Sequence, residues 1–388
     1  MTQDVIIIGG GLHGSSTAYQ LAARGRRPLV IERNHVARHA SGASAGGVRR
    51  LRRHRAELPL AMESLALWRR LPELLGDDCG FSPCGHLLLA ETEADLAWTV
   101  ERAATTRSLG YDFEEPIDRA EVKRLVPAVS DAVIGGIIAR DDGFGNPLLT
   151  TAAFRRRAES LGARYLERTE VLGIERDAAG WTVATTAGRF AAPSLVNCAG
   201  GWGERIAAML GETMPVRMKA ATMTVTARVP RFLGPVIGHV RKKLSLKQMQ
   251  NGTVVIGGGY EGRADMEAGE SDVLYAGLPG NMKPVVDAFP HLARVPIVRN
   301  WTGLEGNTPD AIPYIGPSPN DPTLVHSFGY SGHGFQLGPI CGVIVADLVM
   351  HGATPLPIGA FQPDRFATAG TLQWGAKEGT AVEEQKAV

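Results

Sequence analysis

A run of positive charge stands near the start of the chain, where residues 48–55 read VRRLRRHR and hold five arginines and a histidine. Guanidinium groups bind carboxylates and phosphates through paired hydrogen bonds, so the run suits a nucleic acid, an acidic partner protein, an export signal or a carboxylate-bearing substrate. The whole chain is close to neutral, with 41 basic and 40 acidic residues, and the run contains no interleaved aromatic residue. We therefore expect no nucleic-acid partner.

A second candidate for chemistry lies at the N-terminus, in DVIIIGGGLHGSSTAYQLAARGRRPLVIE. The pattern predicts a strand, a tight turn, a helix and a second strand. Gly9, Gly11 and Gly14 fit GxGxxG, in which the glycines allow the turn, the approach of a pyrophosphate and close helix packing. Glu32 ends the second strand, where a carboxylate can accept hydrogen bonds from both hydroxyls of an unphosphorylated ribose. The segment predicts dinucleotide binding and argues against NADP; the alternative is an ordinary βαβ unit.

Three further stretches of small residues must be positioned by the fold around any cofactor. Residues 40–48, ASGASAGGV, follow the Glu32 strand, and residues 199–201 end a strand predicted in APSLVNCAGGWG. Near the C-terminus, residues 332–334 separate a predicted strand from a long apolar helix. Loops with little side-chain bulk let the backbone approach a large planar ligand, which favours FAD over NAD.

These motifs occur in an order that resembles the D-amino-acid-oxidase-like flavoproteins, in the branch with glycine oxidase, sarcosine oxidase and the catalytic subunits of opine and hydroxyproline dehydrogenases. The resemblance covers about residues 4–366 and implies an α/β fold. It comprises a discontinuous Rossmann-type FAD-binding domain and a second domain built on an antiparallel sheet. The implied FAD-binding pieces are 1–80, 142–214 and 321–370; the implied substrate-binding pieces are 81–141 and 215–320, followed by a tail at 371–388.

The resemblance also implies where FAD would bind, with the isoalloxazine under the C-terminal loop. Adenosine and pyrophosphate would meet Gly9, Gly11, Leu12, His13, Gly14, Glu32 and Arg33, with Val171 at the adenine and Gly200 and Trp202 on the pyrophosphate side. The flavin would meet Ser41, Gly46 and Gly47, and its pyrimidine edge would lie along Gly332, His333, Gly334, Phe335 and Gln336. Amide groups at a helix start there would stabilise the negative charge of the reduced ring.

The arginine run gains a role from its place behind the flavin loop. Arg49 and Arg52 are three residues apart, and on a helical turn they would share one side. In the sarcosine oxidases that the chain resembles, two arginines of this spacing flank the flavin and one grips the substrate carboxylate. We expect Arg50, Arg53 and Arg55 to face solvent or another subunit.

Two positions depart from the sarcosine oxidases, and a third departs from the glycine oxidases. Glu305 replaces an arginine clamp of the glycine oxidases, and it would either receive a cationic group or pair with Arg49 or Arg52. In monomeric sarcosine oxidase, a cysteine that holds the flavin covalently corresponds to about Gly303 of this chain. FAD is therefore expected to bind non-covalently here. In the same sarcosine oxidases, a lysine that activates oxygen corresponds to a position near Val255. This chain lacks a lysine there, which favours a dehydrogenase.

The sequence thus predicts FAD-dependent oxidation of an amine or amino acid, with a secondary amine beside a carboxylate as in an opine, hydroxyproline or an N-alkyl glycine. Hydride would pass from the α-carbon to flavin N5, giving an imine. We expect a catalytic subunit of a hetero-oligomer whose partner accepts electrons. The alternatives are a 2-hydroxy-acid dehydrogenase and a flavoprotein subunit without turnover. The four cysteines and the short N-terminal apolar run favour a cytoplasmic protein without a transmembrane segment or a metal site.

Overall fold

The computed structural model describes residues 3–367 and Trp374. The predicted tail at 371–388 therefore lies outside the described residues, apart from Trp374. In chain order, the strands are β1 (Val5–Ile8), β2 (Pro28–Ile31), β3 (Gly47–Val48), β4 (His86–Ala90), β5 (Glu115–Asp118), β6 (Gly135–Ala139), β7 (Gly143–Phe144), β8 (Arg164–Leu166), β9 (Val171–Asp177), β10 (Gly180–Thr185), β11 (Gly188–Ala192), β12 (Ser194–Asn197), β13 (Arg217–Thr226), β14 (Val236–His239), β15 (Ser245–Gln248), β16 (Val254–Glu261), β17 (Arg263–Asp265), β18 (Glu270–Asp272), β19 (Ile297–Asn307), β20 (Tyr314–Pro317) and β21 (Leu324–Phe328).

The helices are α1 (Leu12–Ala23), α2 (Ala40–Ala43), α3 (Leu58–Leu75), α4 (Glu93–Ser108), α5 (Arg119–Leu125), α6 (Pro147–Ser160), α7 (Gly203–Ala208), α8 (Leu278–Ala288) and α9 (Gly334–His351). The helix predicted in EADLAWTVERAATTRSLG is α4, which Thr92 caps by accepting a hydrogen bond from the amide of Asp95. The segment 40–48 was predicted to be a loop throughout, but residues 40–43 form the single helical turn α2.

The first sheet has six strands in the order β20-β21-β12-β1-β2-β8. Its strands β21, β12, β1, β2 and β8 run parallel, and β20 is antiparallel to β21. Residues of β1 and β2 are buried along their whole length, as the continuous apolar runs VIII and PLVI require in a sheet covered on both faces. Helices α1, α3, α6 and α9 pack together in one apolar core beside it. The prediction of a Rossmann-type α/β fold is confirmed.

The second sheet has eight strands in the order β19-β13-β16-β15-β14-β4-β6-β5. All neighbouring pairs are antiparallel except β14 and β4, which are parallel. The predicted second layer on an antiparallel sheet is therefore present, and its strands come from two separate stretches of the chain. One boundary differs from the prediction, because β20 pairs with β21 in the first sheet although it was assigned to the 215–320 piece. The remaining domain boundaries stay a prediction.

Helix α9 is long and apolar enough to cross a membrane by length and composition. More than half of its most apolar stretch is buried, and it packs against α1 and α3. Small residues make this packing possible, since a side chain at Gly338 or Gly342 would collide with Leu12 or Ser16 of α1. The pattern is that of a core helix.

Candidate active site

A cavity of about 660 Å³ separates the two sheets. On one side it meets the carboxyl end of β1, the loop at 37–47 and the turn before α9. On the other side it meets one face of the eight-stranded sheet. Ligands of open parallel sheets bind beyond the carboxyl ends of the strands, and this volume suits a cofactor and a small substrate.

The glycine turn between β1 and α1 is built as a dinucleotide cradle requires. Gly9 has φ +105°, and a Cβ there would lie 2.4 Å from the carbonyl oxygen of Cys198. A Cβ on Gly14 would lie 1.9 Å from the carbonyl oxygen of Gly9, so Gly14 allows close packing and does not itself line the cavity. Gly11 caps α1 without a side-chain hydrogen bond. The positive end of α1 therefore opens towards the cavity, where a pyrophosphate fits.

Glu32 is fixed at the end of β2 by two backbone amides. Its Oε2 accepts from Gly10 at 2.7 Å and its Oε1 accepts from Asn34 at 2.8 Å. Burial raises the pKa of this carboxyl group despite those two bonds. Each oxygen keeps a lone pair for a ribose hydroxyl, so the predicted role fits the geometry.

Most other predicted cofactor residues line the same cavity. Arg33 stacks over the ring of Trp202, with 4.5 Å from its Cζ to the ring centroid. The Ser41 hydroxyl accepts from the amide of Leu12 at 2.9 Å and ties the small-residue loop to α1. The structure brings together Gly9, Gly11, Leu12, His13, Glu32, Arg33, Ser41, Gly46, Gly47, Val171, Gly200, Trp202, Gly332, Gly334 and Phe335 along the cavity wall.

Two side chains predicted at the flavin edge point elsewhere. The ring of His333 meets Glu57, with Nδ1 2.7 Å from Oε2, and the amide of Gln336 donates to the carbonyl of Ala61 at 2.8 Å. Neither residue lines the cavity, because α9 begins at Gly334 and its first turn packs onto α3. Gly332, Gly334 and Phe335 form the cavity wall instead.

The arginine run is not a helical turn, and this changes which arginines meet the cavity. Arg52 lies in a tight turn with φ +57°, and its guanidinium stacks on Trp98 and donates to the carbonyl of His239 at 3.3 Å. Arg52 is therefore outside the cavity wall, whereas Arg49 and Arg53 both belong to it. The expected pairing of Arg49 with Arg52 over the flavin is wrong for Arg52, because the turn reverses the chain between them.

Arg50 and Arg53 are buried, so the expectation that they face solvent is wrong. Asp142 accepts from the amides of Arg50 and Leu51 at 2.7 and 2.8 Å and from the Arg50 Nε at 2.9 Å. This carboxylate holds the turn in place. Arg55 is exposed, as expected.

Arg53 is the most deeply buried of the five arginines, with 1% of its surface exposed. Its Nε donates to the carbonyl of Arg49 at 3.0 Å, and Nη2 reaches the carbonyl of His333 at 3.4 Å. Its Nη1 is buried and has no acceptor within the part of the chain that the structure describes. Burial lowers the pKa of Arg53 to about 10, so it still carries its charge at neutral pH.

The cavity-facing side of the eight-stranded sheet follows from strand register. Side chains alternate between the two faces, so every second residue points the same way. Cross-strand partners of one face include Glu305 with Lys219, Met223 with Gly257, and Lys247 with Val255. The cavity wall contains part of this face, comprising His86, Lys219, Ala221, Met223, Val236, Ser245, Lys247, Val255, Gly257, Gly303 and Glu305.

Glu305 and the arginines occupy opposite ends of this face. Glu305 lies on β19 and His86 on β4, five strand positions apart, which is roughly 24 Å along a flat sheet. Burial, reinforced by the charges of Arg49 and Arg53, lowers the pKa of His86 to about 3 and keeps its ring neutral. Among the residues described, Glu305 forms no ion pair with Arg49 or Arg52, so that alternative is wrong.

Sequence reasoning missed Lys247, which lies one strand away from the position where a lysine was sought. It is the cross-strand partner of Val255, only 6% exposed, and its Nζ donates to the carbonyl of Ala45. Burial lowers its pKa to about 8. The signal was present as the period-two pattern of Lys243, Ser245 and Lys247 in KKLSLKQ, which places three polar side chains on one face of a strand.

A dinucleotide cradle that faces a sheet carrying buried cations defines a flavoprotein oxidoreductase. The chain belongs to the DAO family, FAD dependent oxidoreductase, whose model matches residues 4–348. It is similar to the glycine oxidase of Geobacillus kaustophilus, with 28% identity over 93% of this chain and 97% of the relative. Sarcosine oxidase subunit beta of Rhizobium meliloti is 27% identical over 94% and 88%. The crystal structure of L-proline dehydrogenase from P. horikoshii matches with a TM-score of 0.88 and 27% identity, over 94% of this chain and 98% of that one.

The predicted family and the predicted cofactor are thereby confirmed, and the protein is an FAD-dependent oxidoreductase. The glycine cradle and the Glu32 anchor fit the adenosine diphosphate half of FAD. At position 303 the glycine offers no side-chain atom for a covalent flavin bond, and a Cβ there would lie 2.6 Å from that of Ala43.

Proposed function

We propose that the protein oxidises an amine that stands beside a carboxylate, with Arg49 and Arg53 holding that carboxylate. The observation that carries the proposal is the buried guanidinium of Arg53, a residue of the cavity wall whose Nη1 has no hydrogen-bond acceptor among the described residues. A buried donor left unpaired is costly, and a planar guanidinium suits a carboxylate in two parallel hydrogen bonds. FAD, when bound, supplies the hydride acceptor.

The two arginines contribute in two ways. They orient the substrate, so that the carbon beside the carboxylate is fixed relative to the loop at 44–47, which lines the cavity between them and the cradle. Their charges also disfavour a nearby ammonium group, which raises the fraction of neutral amine with a free lone pair. The neutral ring of His86 adds an uncharged hydrogen-bonding group beside them, since its buried Nδ1 has no hydrogen-bond partner within the described chain.

The names of the relatives support an amine substrate, because glycine oxidase, sarcosine oxidase subunit beta and L-proline dehydrogenase all name amino acids or an N-alkyl glycine. A secondary amine such as an opine, hydroxyproline or an N-alkyl glycine remains the substrate class that we propose. Glu305, at the far end of the sheet face, would meet a distant cationic group of a longer substrate rather than the carboxylate beside the reacting carbon.

The proposal includes a partner subunit that accepts electrons and a cytoplasmic location. Sarcosine oxidase subunit beta is by its name one chain of an assembly, and the four cysteines here are all free. Lys247 supplies a buried cation in the cavity, so the lack of a lysine near Val255 does not favour a dehydrogenase over an oxidase. Reoxidation of the reduced protein by air, compared with reoxidation by a co-purified chain, identifies the acceptor.

The clamp is tested by comparing Arg53→Met with Arg52→Met in steady-state kinetics with N-methylglycine and proline. Loss of a charge-assisted hydrogen bond of about 1.5–3 kcal/mol predicts a roughly 10- to 150-fold fall in kcat/KM for Arg53→Met, with FAD content unchanged. Arg52→Met should change kcat/KM much less, because its guanidinium packs on Trp98 outside the cavity wall. A larger loss in Arg52→Met than in Arg53→Met would reject this assignment of the clamp.

A further inference from the structure

Lys247 is a buried cation that the proposed chemistry does not yet use. Its side chain lies in the cavity wall, its Nζ donates to the carbonyl of Ala45, and it sits 4.3 Å from the centroid of the Phe144 ring. No carboxylate of the described chain forms an ion pair with it. A carbonyl and an aromatic face offset only part of the cost of burying a full charge.

Arg49 and Arg53, from the turn after β3, line the same cavity as Lys247 and are cationic, whereas the ring of His86 on β4 is neutral. Within the described part of the chain, Cys84 is the one group that raises the pKa of Lys247, and the pKa of the Cys84 thiol is itself raised by burial. A site of this kind is completed by an anion that enters the cavity, since buried charges are paired or coordinated.

The position of Lys247 separates it from the arginine pair. It lies on β15, two strands from His86 on β4, so that the two backbones are roughly 10 Å apart. Arg49 and Arg53 lie close enough to His86 to lower its pKa. The cavity therefore presents two buried positive charges, the arginine pair and Lys247, and a single small carboxylate fills only one of these positions. Lys219 also lines the cavity, but it is only partly buried and pairs with Glu261 at 3.5 Å.

We propose that Lys247 binds a second carboxylate of the substrate, so that the preferred substrates are secondary amines flanked by two carboxylate-bearing arms. The inference rests on the proposed function, in which Arg49 and Arg53 hold the first carboxylate. Among the substrates proposed above it selects the opine-like, N-carboxyalkyl amino acids over hydroxyproline and simple N-alkyl glycines. The long side chains of the lysine and the arginines span the remaining distance to such a molecule.

The first experiment compares iminodiacetate, which has two carboxylates, with N-methylglycine, which has one, in the FAD-loaded protein. We expect kcat/KM to be roughly 10- to 100-fold higher for iminodiacetate, the range that one charge-assisted contact supports. Lys247→Met should reduce this preference to within a few-fold. Lys283→Met is the matched control, because Lys283 pairs with Asp287 on exposed helix α8 and should leave the preference unchanged.

A second measurement is independent of turnover. Thiodiacetate and (methylthio)acetate carry sulfur in place of the amine, so their binding is followed by the change in flavin absorbance. Thiodiacetate should bind at least tenfold more tightly to the wild-type protein. Lys247→Met should weaken thiodiacetate binding and leave (methylthio)acetate binding within about twofold.

Two results would overturn the inference. One is equal affinity of the wild-type protein for the two sulfur compounds. The other is an equal loss of both affinities in Lys247→Met together with a shifted flavin midpoint potential, which would assign Lys247 to the cofactor. If no amine reduces the flavin, the proposed function fails, while the sulfur compounds still test the second carboxylate site by themselves.

Discussion

The two ends of the cavity are built in different ways. The cofactor end consists mainly of backbone: the Gly9–Gly14 turn, the loop at 40–47 and the turn before α9 present amides and bare glycine surface. The other wall, which we propose faces the substrate, consists of side chains from separate strands, with His86, Lys219, Lys247 and Glu305 on β4, β13, β15 and β19. A cradle of backbone depends on local conformation, whereas a wall of side chains depends on how distant strands pair.

This difference implies different sensitivities to substitution. A change in the cradle should remove the cofactor and with it all activity. A change in the wall should alter substrate choice and stability while FAD stays bound.

The largest effect is expected for Gly14→Val. Its Cβ would lie 1.9 Å from the backbone oxygen of Gly9, so α1 must move away from the turn that holds the pyrophosphate. We expect protein purified without FAD, measured as the ratio of flavin to protein absorbance. Gly280→Ala is the control, because nothing lies within 4 Å of a Cβ there and alanine favours its helix. Full FAD content in Gly14→Val would contradict the cradle.

The next effect concerns the carboxylate that holds the arginine turn. Asp142→Ala leaves the buried Arg50 charge and two amides without their acceptor, which costs about 3–5 kcal/mol of unfolding free energy. Asp131→Ala removes an aspartate whose side chain is 86% exposed and should lower the unfolding free energy much less. Urea unfolding of both variants measures the difference. Equal, small losses would show that Asp142 does not support the wall.

The smallest effect is a pH dependence from Lys247. Burial holds its folded pKa at about 8, below its ordinary 10.5, so between these values the unfolded chain binds a proton that the folded chain lacks. Unfolding free energy relative to Lys247→Met should therefore rise with pH across this window, by about 3 kcal/mol at most. Below about pH 8 the difference should be constant. A difference that falls between pH 8 and 10.5 would contradict the buried, unpaired lysine.

The sequence predicted the β1–α1–β2 unit well because its signals are contiguous. The strand, GxGxxG, helix and Glu32 stand within the first 32 residues, and the structure places them as expected. The two-sheet architecture also followed from apolar patterns and from the family resemblance. The error at β20 arose because the chain returns to the first sheet before the expected boundary.

The wall could not be predicted in the same way. The spacing of Arg49 and Arg52 suggested a helix, but Arg52 itself has φ +57° and turns the chain. No local sequence pattern predicts that conformation. Arg53, and not Arg52, consequently lies in the cavity wall with Arg49. Lys247 was missed because the pairing of β15 with β16, which puts it beside Val255, joins strands whose register depends on the whole sheet.

We propose that the FAD-loaded protein oxidises an amine that stands beside a carboxylate. The most direct test mixes the FAD-loaded protein anaerobically with iminodiacetate, N-methylglycine, proline and lactate, and follows the flavin absorbance. We expect the three amines to bleach the flavin, iminodiacetate at the lowest concentration, while lactate leaves it oxidised. Bleaching by lactate and by none of the amines would contradict the account.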